Sequence, residues 1–207
     1  MKKLGPLGML IVASLLAAPS IHAQESKPVA GWREFKDVAG TYWAKAQIDK
    51  AAADGYVSGF SDGTFRPERK VSRAEFFRML VDALKLPHVA KGSPWYQPYV
   101  AVMVEFNFHN ASDFKEYTEN LSRLEMIRLA ARAVHLDFQS VGVTEQEFVV
   151  WAAESGLIYG SSIDGDLELD GSVTRAEAIV VIQRVLTLIK GKVLDVNPEA
   201  VKAAKQM

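Results

Sequence analysis

The chain contains no cysteine, which removes disulfides, thiolate metal sites and a cysteine nucleophile at once. Histidine is scarce: there are four, His22, His88, His109 and His135, at no spacing that ligates a metal. No Gly-x-Ser-x-Gly elbow is present. There is no basic surplus either, with 24 Lys and Arg against 25 Asp and Glu. The whole-molecule field therefore does not favour nucleic acid phosphates, and no nucleic acid partner is expected. After the first two dozen residues no segment is apolar enough to span a bilayer, which takes about 20 residues. The expectations are a non-catalytic protein with no cofactor and no metal.

The N-terminus reads as an export signal. Lys2 and Lys3 precede an apolar run at 7–18, and "IHA" ends at the small residue Ala23. Residues 1–23 are expected to be removed, leaving a secreted protein that does not contact the membrane. The mature balance is then 24 − 2 = 22 basic against 25 acidic residues, or −3. Export without cysteine means that the core alone must hold the fold. A content of 49% hydrophobic and 10% aromatic residues suffices for that.

One pattern recurs. "SRAE" at 72–75, "SRLE" at 122–125 and "TRAE" at 174–177 place Arg73, Arg123 and Arg175 about 50 residues apart, the mark of repeated supersecondary units. Upstream, "WAKAQIDKAAADGYVSGFSDGTF" (43–65) aligns with "WYQPYVAVMVEFNFHNASDF" (95–114) and "TEQEFVVWAAESGLIYGSSIDGDL" (144–167). Each unit reads as a helix, a turn-rich loop and a second helix opened by the motif. Gly55, Asn107 and Gly156 stand where the first helices end, and both residue types tolerate the left-handed conformation needed there. Asp62-Gly63 and Asp164-Gly165 read as tight turns. Ser72, Ser122 and Thr174 with Glu75, Glu125 and Glu177 make capping boxes, each worth roughly 1 kcal/mol. Val71/Phe76 and Leu121/Met126 have staple spacing, and apolar residues behind them keep a helical period. The fold class is all-α, with three helix-loop-helix units in a pseudo-threefold assembly.

The arginine is the odd member, because the first turn of a helix favours anions. Two readings stand side by side. The arginine ties its unit to a neighbouring unit's carboxylate, or it makes an anion seat with the free N–H groups of the helix start.

These residues carry a resemblance. Residues 32–190 resemble three consecutive S-layer homology (SLH) repeats. The first repeat (32–86) holds "FKDV" (35–38), Trp43, Ile48 and "GYVSGFSDGTFRPERKVSRAE" (55–75) in the family's order. Repeats two (89–138) and three (140–190) are divergent, and residues 191–207 form a tail with Asn197 as cap and Pro198 at the first position of a short helix. The resemblance implies a three-pronged spindle with a central helical bundle. It also implies a protein held non-covalently on secondary cell wall polysaccharide, often pyruvylated, or on a peptidoglycan-linked polymer. Localisation at the cell wall or S-layer follows. Carried over position by position, Arg73, Arg123 and Arg175 grip anionic groups, Asp37 and Trp43 line a groove wall, and Gly59 and Gly160 let backbone approach ligand. Trp95 keeps the aromatic of repeat two. For Trp43 a wedge between helices is the competing role.

The later repeats depart from the pattern. Ala111 replaces a loop glycine, Thr144 stands at the tryptophan position, and Glu168-Leu169 replaces Arg66-Pro67. One or two working grooves are expected rather than three, with Arg73 the most sensitive position. The alternative function is a secreted adaptor whose drifted repeats bind a surface protein. "DLELDGSVTRAE" (166–177) imitates a calcium loop, but no helix is expected directly before it, and Glu177 is already assigned to a cap.

Overall fold

Ser72, Thr144, Thr174 and Asn197 each cap the start of a helix through the side chain. In the computed structural model, which describes residues 34–89, 92–140, 142–160 and 166–207, seven α-helices follow in order. They are α1 (Lys45–Ala53), α2 (Arg73–Ala83), α3 (Gln97–Glu105), α4 (Arg123–Val134), α5 (Glu145–Glu154), α6 (Arg175–Ile189) and α7 (Pro198–Lys205). A 3-10 turn covers Leu136–Gln139. Among the described residues there is no strand, and no helix is long and apolar enough to cross a membrane. The expected all-α class is observed. The export segment 1–23 and the Asp164-Gly165 turn lie outside the described residues.

Each motif arginine is the first helical residue, as its spacing predicts. Ser72 accepts the Glu75 N–H while Glu75 accepts the Ser72 N–H, a complete box. Thr174 and Glu177 do the same. A further box, Thr144 with Glu147, opens α5. Asn197 caps α7 through the Glu199 N–H. The first helices stop at residues with positive φ: Gly55 (82°), Asn107 (56°) and Gly156 (73°). Asn107 shows that the conformation, rather than glycine itself, is the requirement.

The described residues group into two compact units. Of the described residues, one takes in 34–122 together with Gly171–Gln183; the other holds those of Arg123–Asp170 and Arg184–Met207. In the first unit the residues preceding the three motifs bond in a cycle. Val71 N–H donates to Val173 O (3.0 Å), Val173 N–H to Leu121 O (2.9 Å), and Leu121 N–H to Val71 O (2.9 Å). All three side chains are fully buried, so each peptide group must find its partner inside the protein, and the cycle supplies one to each. Three segments about 50 residues apart are thereby locked to one another. Phe65, Phe76, Phe77, Leu80 and Ile48 fill the core of this unit, and α2 packs on α3.

In the second unit α4 packs on α5, and α5 on α7. Met126, Ile127, Leu129, Phe138, Phe148 and Leu157 are buried there. Phe138 is flanked by Phe148 at 4.9 Å and Trp151 at 5.2 Å between ring centroids.

Candidate functional site

The cap geometry corrects one part of the sequence reading. The helix starts were expected to offer free N–H groups to an anion, and at α2 and α6 they do not. Arg73 N–H donates to Glu119 O and Ala74 N–H to Tyr117 O. Arg175 N–H donates to Arg69 O and Ala176 N–H to Pro67 O. The third N–H of each helix is taken by the cap hydroxyl. Carbonyls of a neighbouring segment thus consume the donors that an anion would need. Any anion recognition here has to come from the guanidinium groups.

Those guanidiniums differ. Arg73 N–H groups donate to Glu116 O (2.8 Å) and to the Glu119 carboxylate (3.0 Å), and its charge lies 4.9 Å from the Phe114 ring centre. This is a tie to the carboxylate of a segment 46 residues further along the chain. Arg175 is 6% exposed, and among the described residues its hydrogen bonds go to carbonyls, with the Glu75 and Asp37 carboxylates acting on its charge from further away. Nε donates to Phe65 O (2.9 Å) and Nη2 to Ser58 O (3.1 Å), with the rings of Phe65 and Phe60 at 4.5 and 5.2 Å from the charge. Desolvation pushes the Arg175 pKa down to about 10, and the nearby Arg69 charge adds to the effect. The group stays protonated at neutral pH, yet it is a buried cation compensated by carbonyl dipoles and ring faces.

Arg175 is part of the lining of a groove of about 260 Å³, with Gly55–Ser58, Glu75, Arg78, Met79, Asp82 and Trp95. Positions 75, 78, 79 and 82 form one face of α2. Glu75 adds little net negative charge, because it pairs with Arg69 and closes the α2 cap. Arg78 lies 3.6 Å from Asp82, whose carboxyl is raised by burial. Trp95 is 48% exposed and stands against the edges of Tyr96 and Tyr99. A guanidinium at one end, an exposed indole, and an Arg/Asp pair along one wall can bind an anionic, hydroxyl-rich ligand: the charge grips a carboxylate and the ring covers an apolar sugar face.

The other expected residues fall as follows. Trp43 is 59% exposed beside Tyr42, which rules out the wedge role, and it does not line this groove. Asp37 is occupied: its two oxygens accept the N–H groups of Phe65 and Arg66, both at 2.7 Å, and hold Arg66 at a φ of 58°. Gly59 is needed for packing. A Cβ there would sit 2.7 Å from Thr64 O and against the Phe35 ring. Gly59→Ala should therefore cost about 1–3 kcal/mol, measured by urea unfolding. A cost under a few tenths would leave the glycine with a ligand-side purpose alone. Gly160, in the other unit, has a φ of 83°. Arg123 opens α4 there, close enough to Arg184 for its charge to push the Arg184 pKa down.

Sequence reasoning did not single out Tyr56, Arg78 or Asp82 in the groove, nor the Phe60/Phe65 clamp. The heptad spacing of 75, 78 and 82 was the available signal. The clamp had none, because its residues lie 110 positions or more from Arg175. The last described helix before the calcium-like loop at Asp166, α5, ends at Glu154, and Glu177 accepts both the N–H and the hydroxyl of Thr174.

Comparison with known proteins agrees with this anatomy. Residues 34–77 match the S-layer homology domain. An S-layer protein of Bacillus thuringiensis subsp. finitimus is 25% identical over 189 residues, covering 81% of this chain and 23% of that protein. The S-layer protein sap of Bacillus anthracis is 26% identical over 187 residues, with the same 81% and 23% coverage. A cellulosome-anchoring protein of Acetivibrio thermocellus is 25% identical over 172 residues, covering 73% of this chain and 38% of that protein. The chain spans about a quarter of the length of the two S-layer proteins.

Proposed function

Residues 34–77 are an S-layer homology domain, and from that premise we propose that the protein is a non-catalytic cell-surface module that attaches to secondary cell wall polysaccharide. Its relatives include S-layer and surface-anchoring proteins, which supports a secreted protein residing at the cell wall. The finer reading concerns the ligand. A pyruvate ketal on the polymer presents a carboxylate on a compact acetal, and Arg175 presents a guanidinium whose printed hydrogen bonds go to backbone carbonyls. The single observation that supports this reading is a buried cation, hydrogen-bonded to two backbone carbonyls, in the lining of a groove with an exposed tryptophan. A cation held in a half-dry groove binds a carboxylate more strongly than one in water. Trp95 supplies the stacking surface.

In this assignment Arg175 and Trp95 bind directly. Arg73 joins two repeats, while Asp37 and Gly59 shape the loop that holds Arg175. Arg123, Gly160 and Trp43 belong to other parts of the surface.

Co-sedimentation of the mature protein with purified wall sacculi tests the proposal. Binding is expected before the secondary polymer is stripped and should be lost afterwards. It should also fall where the polymer is kept but its ketals are removed by mild acid. Equal binding to stripped sacculi would overturn the polysaccharide reading. No binding to any wall preparation by a folded protein would point to a surface protein as partner.

A further inference from the structure

Helix α2 ends in a way that turns the chain back on itself. Lys85 takes a φ of 55°; its N–H donates to Asp82 O and the Leu86 N–H to Val81 O, both at 3.1 Å. This is the left-handed close of a helix, and Pro87 directly after it cannot continue one. The turn sets His88 beside the C-terminal end of α2, where Asp82 stands in the groove lining one turn beyond Arg78.

Asp82 lies between two basic groups and is bonded closely to neither. Arg78 Nε is 3.6 Å from one carboxylate oxygen, and His88 Nε2 is 3.5 Å from the other. The imidazole is already oriented for a change of charge. Its Nδ1 lies 3.0 Å from Leu86 O, and because a carbonyl only accepts, Nδ1 carries the hydrogen. Nε2, the atom on the Asp82 side, is therefore where a further proton is taken up. The ring packs on Tyr99 of α3, with 4.8 Å between centroids, and Tyr99 in turn meets Trp95 at 6.3 Å. Burial, and then the Asp82 charge, raise the Tyr99 pKa, so that phenol stays neutral. The charges acting on Asp82 are thus Arg78 and His88. The remaining charged groups of the groove are Arg175 and Glu75, the latter paired with Arg69.

We propose that His88 is a pH-sensitive switch on the groove: once protonated it draws Asp82 away from Arg78 and leaves the Arg78 guanidinium to the ligand. One proton is gained at Nε2, and the Arg78–Asp82 contact is exchanged for a His88–Asp82 ion pair. With neutral His88, Arg78 and Asp82 cancel each other along the wall; with charged His88 the wall gains one positive charge. Histidine changes charge between about pH 5 and 8, so an anionic polymer should bind more tightly as pH falls through that range. Burial raises the Asp82 carboxyl while His88 and Arg78 lower it, so the carboxylate depends on whichever cation is nearer. The gain in affinity rests on the groove reading of the proposed function; the exchange of partners at Asp82 does not.

The test has two arms. In the ligand-free mature protein, NMR follows the His88 ring and the Arg78 Nε–H together across the imidazole range. The Arg78 resonance should move with the midpoint of the His88 ring, and His88→Gln should abolish that movement. In the second arm, co-sedimentation with unstripped sacculi is measured at about pH 5.5 and 7.5. Wild type should bind about fivefold more tightly at the lower pH, the low end of coupling between two sites. His88→Gln should hold the weaker value at both, and Asp82→Asn, which frees Arg78 permanently, the tighter one. These opposite plateaus separate the switch from titration of His109, His135 or the polymer, which both variants share with wild type. An Arg78 resonance that ignores His88, or a pH response retained in His88→Gln, overturns the switch and leaves the groove reading intact. Wild-type binding equal at the two pH values overturns it as well. No binding at either pH, with Arg78 still following His88, upholds the exchange at Asp82 and refutes the groove reading.

Discussion

Arg175→Ala should weaken binding of pyruvylated polymer by roughly a hundredfold, the equivalent of about 3 kcal/mol for a lost charge-assisted pair of hydrogen bonds. Stability alone cannot account for such a loss, so both must be measured. The substitution leaves Phe65 O and Ser58 O without their donor, which destabilises the fold, but it also removes a cation that is expensive to bury. These two effects oppose each other, and the melting temperature should fall modestly. Arg175→Lys keeps the charge but cannot donate to two carbonyls and a ligand together, so it should bind poorly as well. Arg73→Ala serves as the contrast: its guanidinium already faces Glu119, so stability should change more than affinity. Unchanged affinity in Arg175→Ala would end the anion-seat assignment. A pH series adds an independent check. The ligand needs the protonated guanidinium, so affinity should be level from neutral pH upward and fall as pH passes about 10, the value to which desolvation holds this group. The residual binding of Arg175→Ala should lack that component.

Phe65→Ala should destabilise the protein by about 3–5 kcal/mol, the usual cost of removing a fully buried phenylalanine. Phe65 is 0% exposed, lies 5.1 Å from Phe35 between ring centres, and covers the Arg175 charge at 4.5 Å. The backbone around it is also committed, its N–H to Asp37 and its carbonyl to Arg175. Loss of the ring leaves a cavity beside a buried cation, so binding should fall even at temperatures where the variant remains folded. Phe65→Leu refills most of the volume and should cost about 1.5 kcal/mol or less. Denaturant unfolding of the two variants measures the difference. If both cost the same, the ring has no particular relation to the arginine.

Helix starts, helix stops and the repeat itself were legible without a structure because their causes are local. A cap and its glutamate are three positions apart, and a left-handed residue ends a helix through its own dihedrals. Ser72, Thr174, Gly55, Asn107 and Gly156 all behave as their chemistry requires. The motif order carried the resemblance that the match over residues 34–77 supports. The fate of each arginine was not legible. Arg73 and Arg175 occupy the same place in the same motif, yet one meets Glu119 and the other meets two carbonyls and two rings. Those partners lie 46 to 117 residues away in sequence. Likewise, the donors at the helix starts appeared free in sequence and are consumed by carbonyls of a neighbouring segment. The sequence by itself determined the elements and their repetition, since these depend on contacts within a turn or two of the chain. Tertiary structure alone decided which arginine is neutralised by a carboxylate and which is left at a groove, because that depends on which loop closes over each helix start.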